Sequence, residues 1–142
     1  MKIAIGSDHG GFETKEFLKQ AYLQKGIILE DIGTYSTESC DYPLIADKMA
    51  EEILSKKADF GVLVCGTGIG ISIAANRHKG IRAALLYSDE TAVLAREHND
   101  ANIAVFGGRT QAKEDVLHYL EVFLTTDFSG GERHCRRIQE LG

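Results

Sequence analysis

Three glycine-rich turns in the sequence carry, or lie beside, side chains that can transfer protons or attack a carbonyl carbon. They cover residues 6–11 (GSDHGG), 65–70 (CGTGIG) and 107–109 (GGR), and each follows a short apolar run. Aspartate, histidine and cysteine supply acid–base groups, while the N–H groups of a glycine-rich turn can hold a phosphate or a developing oxyanion. This set of groups indicates proton transfer on a phosphorylated carbonyl compound.

The segment 65–70 does not fit three common glycine-rich motifs. It lacks the Gly-Lys-Ser/Thr ending of a P-loop. A dinucleotide fingerprint would need glycine at position 71, and a cysteine-phosphatase loop would need arginine there, but the residue is Ile71. The turn therefore remains a candidate for holding an oxyanion or a phosphate through its backbone.

Each candidate residue also has a purely structural interpretation. A lone cysteine at a strand end, such as Cys65, is usually a buried core residue, although the start of a helix stabilises a thiolate. Asp8 and His9 are typical of a turn closed by an aspartate cap. His98 can be explained as a positively charged residue that stabilises the end of a helix. The tail arginines suit a solvated charge run. No neighbouring residues indicate a role for His78, His118 or His134.

The apolar pattern alternates between short β-rich runs and segments with helical spacing. The runs are residues 2–6, 27–32, 60–65, 82–87 and 102–106. Helical spacing covers residues 12–25, 69–78, 89–99 and 111–125, and one more helix carries Ile45, Met49 and Ile53. Candidate end signals are Gly26 as a stop, Ser88 or Asp89 as one cap, and Thr110 as another.

This alternation predicts βαβ units in one α/β domain with a five-stranded, mostly parallel sheet. The nearly continuous apolar runs at 60–65 and 82–87 predict helices on both faces of the sheet. The tail, residues 126–142, is predicted to be a helix that docks on its own domain or on a partner subunit. Ligands of such sheets bind outside the carboxyl ends of the strands. We therefore expect the cysteine, two histidines, the aspartate and several arginines to reach this one edge.

Composition narrows the class of protein. The 142 residues are 44% hydrophobic and 26% charged, as in ordinary globular domains, with 15 glycines against one proline. A net charge of −5 disfavours a nonspecific nucleic-acid binder. No apolar stretch approaches a membrane span of about 20 residues, so no membrane association is expected. Three cysteines without a CxxC pair predict a reducing cytoplasm and no structural zinc.

Taken together, the motifs resemble the ribose-5-phosphate isomerase B family, which also includes galactose-6-phosphate and allose-6-phosphate isomerases. The resemblance runs in register from residue 1 to about 140. It implies a single Rossmann-like domain over 1–142, and a homodimer or tetramer with the active site built between two subunits. It implies no metal and no organic cofactor. The shared segments are GSDHGG at 6–11, DYP at 41–43, CGTGIGISIAAN at 65–76, IRAA at 81–84, REHNDAN at 96–102 and GGERHCRR at 130–137.

The resemblance also implies the reaction, an interconversion of ribose 5-phosphate and ribulose 5-phosphate through a cis-enediolate. It makes Cys65 the base, His98 the group that opens the furanose ring, and Thr67 part of the catalytic turn. Ile71 places the chain in the branch with a cysteine base, because the other branch has glutamate there. The implied substrate-binding residues are Asp8, His9, Tyr42, Gly66, Thr67, Gly68, Ile69, Gly70, Asn99, Arg109, Arg133 and Arg137.

One departure and three alternatives stay open. Glu132 is an extra residue between Gly131 and Arg133. If this insertion shifts the register, Arg136 would replace Arg133 or Arg137 as a substrate-binding residue. The first alternative is an isomerase of hexose 6-phosphates, with allose or galactose as the sugar. The second is a non-catalytic module that binds sugar phosphates or nucleotides. The third is a cysteine redox or hydrolytic enzyme, which the missing CxxC pair and phosphatase arginine disfavour.

Overall fold

The computed structural model describes all 142 residues and contains five strands and six α-helices. A short 3₁₀ turn, His9–Gly11, joins the first strand to the first helix. In chain order the elements are β1 (Ile3–Ser7), α1 (Phe12–Leu23), β2 (Glu30–Asp31), α2 (Tyr42–Leu54), β3 (Phe60–Cys65), α3 (Ile69–Asn76), β4 (Ala83–Leu85), α4 (Asp89–Glu97), β5 (Ile103–Gly107), α5 (Lys113–Leu124) and α6 (Glu132–Leu141).

The strands form one parallel sheet in the order β2-β1-β3-β5-β4. From β1 the chain crosses to β2 on one side, and from β3 it crosses to β4 and β5 on the other. The topological switch therefore falls between β1 and β3, and a crevice opens at their carboxyl ends. The register places Ser7 beside Val64 and Cys65 beside Gly107, so the three central strands end together.

Helices cover both faces of the sheet, as predicted, and each face has its own buried core. Ile5, Val64 and Phe106 point toward α1, α4 and α5. Leu63 and Cys65 point toward α2 and α3 on the other face. Alternate residues of a strand face opposite sides, so this alternation fixes the direction of the Cys65 side chain.

Three of the predicted boundaries are wrong in detail. The run 27–32 was expected to be a strand throughout, but β2 contains only Glu30 and Asp31 because it is an edge strand that pairs with β1 alone. The run 82–87 forms a strand only at Ala83–Leu85, at the other edge of the sheet. Thr110 is not a cap: α5 begins at Lys113, after Ala112, which makes no side-chain cap hydrogen bond. The cap of α4 is Ser88, whose hydroxyl accepts from the N–H of Thr91 at 3.0 Å.

None of the helices combines the length and the apolar sequence that crossing a bilayer requires.

Candidate active site

The turns that follow β1, β3 and β5 are in contact at the carboxyl edge of the sheet. The N–H of Gly108 donates to the carbonyl of Cys65 at 2.8 Å, and the N–H of Arg109 donates to the carbonyl of Gly66 at 2.9 Å. On the other side, a Cβ placed on Gly10 would lie 3.0 Å from the backbone nitrogen of Gly66. The three glycine-rich segments therefore form one continuous surface.

Cys65 lies at the centre of this surface and is buried, with 4% of its area exposed. Its Sγ accepts a hydrogen bond from the N–H of Gly68 at 3.2 Å. Gly68 has φ +81°, and a Cβ there would lie 2.9 Å from the carbonyl carbon of Phe106. Only glycine fits both the dihedral angle and the space, so this turn depends on Gly68. The structure agrees with a buried cysteine and also places its sulfur at a helix start.

Several N–H groups around Cys65 are left free by the fold. Within the turn and first helical residues, the N–H of Ile69 is bonded to Thr67 Oγ1 at 3.2 Å. The first turn of a helix has no backbone acceptors of its own, so its N–H groups can bind an anion. The N–H groups without a partner in the chain are those of Gly66, Thr67, Gly70 and Ile71, of which that of Ile71 belongs to a fully buried residue.

Asp8 and His9 are held at the rim of the same crevice. Asp8 is buried, and its Oδ1 accepts from the N–H groups of Gly10 at 2.9 Å and Gly11 at 3.2 Å. The aspartate-capped turn is therefore confirmed, and it leaves Oδ2 without a protein partner. The N–H of Cys40 donates to His9 Nδ1 at 3.2 Å, which leaves Nε2 of His9 available for a ligand.

Two cavities open beside His9. One of about 410 Å³ has no hydrophobic residue in its wall and is lined by His9, Thr14, Thr37, Arg109 and Lys113, among others. Its wall also includes the carboxylate of Glu13, but the cationic and hydroxyl groups outnumber it and suit a phosphate. The other, of about 470 Å³, runs along the segment from Ser39 to Leu44 and includes Tyr42.

Tyr42 begins α2 and lies against the first turn of α3. A Cβ placed on Gly70 would lie 2.9 Å from the phenol oxygen of Tyr42, so the glycine leaves room for the ring. Tyr42 is 38% exposed. The phenol thus lines the same turn that carries the free N–H groups.

His98 and Asn99 do not reach this edge within one chain. His98 caps the carboxyl end of α4, and Asn99 lies in the turn before β5. The register pairs Gly107 with Cys65, so the amino end of β5 is four residues away at about 3.3 Å each, or roughly 13 Å. The expectation that all candidate groups share one edge is therefore wrong for a single chain.

Comparisons with known proteins identify the family. The profile described as Ribose/Galactose Isomerase matches residues 3–141. This chain belongs to that family, and it is an isomerase. Ribose-5-phosphate isomerase B of Escherichia coli K12 is 39% identical over 140 residues, covering 99% of this chain and 93% of the relative.

Solved structures agree. A ribose 5-phosphate isomerase from Thermotoga maritima superposes with a TM-score of 0.96 at 56% identity and covers 99% of this chain and 96% of that one. Ribose-5-phosphate isomerase B of Clostridium thermocellum superposes with a TM-score of 0.97 at 44% identity, covering 100% and 95%. The sheet, with helices on both its faces and the carboxyl-terminal helix, is therefore the fold of this family.

In the isomerase, the turn with His98 and Asn99 is held by a partly exposed polar network. The Arg82 guanidinium donates from Nε to the carbonyl of Asn99 at 3.0 Å and from Nη2 to the carbonyl of Asp100 at 3.0 Å. The carboxylate of Asp100 lies 2.8 Å from Arg96 Nη1. Asp100 has φ +45°, a dihedral angle that non-glycine residues keep only where the surroundings enforce it.

The tail forms α6, as predicted, and none of its residues is buried. Arg133 and Arg137 are four residues apart and so share one face of the helix. Arg136, three residues after Arg133, has its Nε 3.7 Å from a carboxylate oxygen of Glu140.

Sequence reasoning missed three residues. Lys113 and Thr37 line the cationic cavity, and His134 stacks on His98. Thr37 is 23 positions from Thr14, its nearest partner along the chain in that cavity, and His134 is 36 positions from His98, so no local pattern indicates these contacts. The spacing of Arg109 and Lys113, at i and i+4, is the one local hint.

Proposed function

We propose that this isomerase interconverts ribose 5-phosphate and ribulose 5-phosphate through a cis-enediolate, with Cys65 as the base. The observation that carries the proposal is the position of the Cys65 sulfur beside unpartnered N–H groups at one helix start. Relatives named ribose-5-phosphate isomerase B, at similar length, support the choice of substrate.

Groups at the carboxyl edge of the sheet can carry out each step of the proton transfer. The Cys65 thiolate takes the proton from C2, the C–H electron pair forms the C1–C2 double bond, and O1 becomes an oxyanion. The free N–H groups of the turn hold the enediolate oxygens, which is commonly the largest contribution to such a rate. The O2 hydroxyl proton passes to O1, and the sulfur returns its proton to C1. A carbonyl at C2 completes the ketose.

Opening of the furanose comes first. We assign to His98 the donation of a proton to the ring oxygen while the C1–O4 electron pair moves onto that oxygen. The proton of the anomeric hydroxyl leaves to water, and the aldehyde forms at C1. This role for His98, with Asn99 beside it, follows from the family resemblance.

Contacts with the phosphate group of the substrate supply the binding energy that positions the sugar. The cavity of about 410 Å³ with His9, Arg109 and Lys113 suits the phosphate. Arg133 and Arg137 would add two planar guanidinium groups, which hold phosphate oxygens in pairs. Because the phosphate is remote from C1 and C2, these contacts orient the reacting carbons.

We infer that the enzyme is a homodimer whose sites combine two chains. Cys65 and His98 lie at opposite edges of the sheet in one chain, so a complete site needs the His98 edge of a second copy. Exposed apolar residues beside the Cys65 turn support this, since Leu44, Ile69 and Ile73 are 61%, 54% and 57% exposed. A second copy would cover them. Residues 126–142 would contribute to both the site and the dimer.

We also infer that residues 1–142 act as one isomerase domain in the cytoplasm. The three cysteines are free thiols, which suits a reducing compartment.

The test measures kcat/KM for ribose 5-phosphate, allose 6-phosphate and galactose 6-phosphate with the same preparation. We expect the pentose phosphate to be preferred, and deuterium from D₂O to appear at C1 of ribulose 5-phosphate. A higher kcat/KM for either hexose phosphate would overturn the assigned substrate. Saturable binding of sugar phosphates without deuterium incorporation would indicate a binding module instead.

A further inference from the structure

His98 has an aromatic neighbour that sequence gave no reason to consider. The rings of His98 and His134 are stacked, with centroids 4.2 Å apart and planes inclined by 14°. Neither ring makes a hydrogen bond within the chain, whereas those of His9 and His78 do. The stack is therefore an orienting contact for a His98 ring that no hydrogen bond holds.

Hydrogen bonds between Ser129 and Glu97 hold the segment before α6 against the end of α4. Ser129 donates to the carbonyl of Glu97, the residue before His98, from its N–H at 3.2 Å and from its hydroxyl at 2.7 Å. Gly130 then turns the chain with φ +72°, and α6 begins two residues later. These contacts fix the start of α6 on the end of α4 and place His134 over His98.

The surroundings of the His134 ring disfavour its protonation. Partial burial, the neighbouring His98 and the charges of Arg133 and Arg137 lower the pKa of His134. An uncharged ring presents a π-face that attracts an imidazolium. Stacked at 4.2 Å, an uncharged His134 ring can contact His98 both before and after His98 takes up a proton.

We propose that His134 is a positioning residue, whose ring holds that of His98 in the orientation needed to deliver a proton to the furanose oxygen. The proposal rests on the proposed function, in which His98 opens the sugar ring. His134 itself donates no proton in this step. Misplacement of a catalytic group by about 1 Å can cost a factor of about 100 in rate. A stacked ring that holds His98 in position can therefore affect the rate of ring opening.

The chemistry of the two sugars separates this role from a general structural one. Ribose 5-phosphate is a furanose in solution and must be opened. Ribulose 5-phosphate has its O5 esterified, so it cannot close a furanose ring and enters the site as an open chain. Exchange of its C1 proton with solvent thus reports on the Cys65 base without ring opening.

The experiment compares H134A with H134F in the full-length enzyme. We expect H134A to lower kcat for ribose 5-phosphate about tenfold or more, with little change in KM. Deuterium exchange at C1 of ribulose 5-phosphate should keep the wild-type rate. H134F retains a flat aromatic ring and should restore most of kcat. In an H98A background, H134A should cause no further loss.

Three outcomes would overturn the proposal. Equal losses in H134A and H134F with a raised KM would mean that His134 contacts the substrate. A parallel fall in C1 exchange would mean that the substitution disturbs the whole site. An unchanged kcat in H134A would mean that the stack has no role. If the wild-type enzyme itself neither isomerises ribose 5-phosphate nor exchanges the C1 proton, the proposed function fails instead.

Discussion

The backbone N–H of Gly68 donates to the sulfur of Cys65 at 3.2 Å, across the turn that joins β3 to α3. The bond exists because Gly68 adopts φ +81°, which points its N–H back toward the strand end. An N–H donor on sulfur stabilises a thiolate more than a thiol. The conformation of one glycine thus prepares the proposed base.

The substitution G68A should damage both stability and turnover. A Cβ at this position meets the Phe106 carbonyl group, and a left-handed dihedral costs a non-glycine residue about 1–2 kcal/mol before any clash. We expect a loss of more than about 2 kcal/mol in the free energy of unfolding, measured by urea titration. The control is G26A, because Gly26 has φ +79° with no atom within 4 Å. Equal losses in both variants would show that crowding at Gly68 is unimportant.

Replacing Cys65 with alanine should remove nearly all turnover. General base catalysis contributes about 10²–10⁴ in rate, so kcat should fall by at least about a hundredfold. Binding of a non-reacting phosphate analogue, measured by calorimetry, should survive. C135A is the matched control, since Cys135 is an exposed thiol on α6. Wild-type activity in C65A would exclude Cys65 as the base.

Mixing two inactive variants tests the shared site. C65A and H98A chains should each have little activity. After joint refolding at equal concentrations, half of the dimers should be mixed, and each mixed dimer has one intact site, so about one quarter of the wild-type sites return. No recovery would contradict a site built from two chains. The molar mass from light scattering would distinguish a dimer from a tetramer.

Substitutions of the tail arginines Arg136 and Arg137 should differ in their effect on KM. Arg137 shares a helix face with Arg133, whereas Arg136 lies beside Glu140. R137M should raise KM for ribose 5-phosphate about tenfold, because a charge-assisted hydrogen bond to phosphate is worth about 1.5–3 kcal/mol. R136M should leave KM near the wild-type value. The reverse pattern would mean that the extra Glu132 shifts the register.

A buried ion pair should make stability depend on pH. The fully buried Lys15 lies 2.7 Å from Oδ1 of Asp31 and also donates to the carbonyl of Thr34. Burial pushes the pKa of Asp31 upward, but hydrogen bonds from Lys15, Lys19 and the N–H of Gly33 outweigh it and lower that pKa. A lowered carboxyl pKa stabilises the fold above about pH 4, and this contribution disappears as pH falls through the folded-state value.

D31N should therefore be less stable than the wild type at pH 7, by about 3 kcal/mol, because it leaves Lys15 without its carboxylate. The difference should shrink as urea titrations move from pH 7 toward pH 3. D127N is the control, since the exposed Asp127 makes no ion pair. A difference that stays constant with pH would exclude Asp31 as the titrating group.

Local patterns in the sequence determined the order of strands and helices and the glycine-rich turn at Cys65. Apolar periodicity and glycine positions act over a few residues, so they can be read without the fold. The edge strand β2 and the start of α5 were misjudged, because pairing with β1 and the contacts of the 107–112 loop decide them.

What only the tertiary structure decided is which groups meet. Strand register put Cys65 at one edge of the sheet and His98 at the other, and the stack of His98 on His134 joins residues 36 positions apart. Such contacts depend on crossover connections and helix packing, which no short segment encodes. The sequence by itself named the chemical groups of this isomerase. Their separation within one chain followed from the direction in which each strand and helix runs.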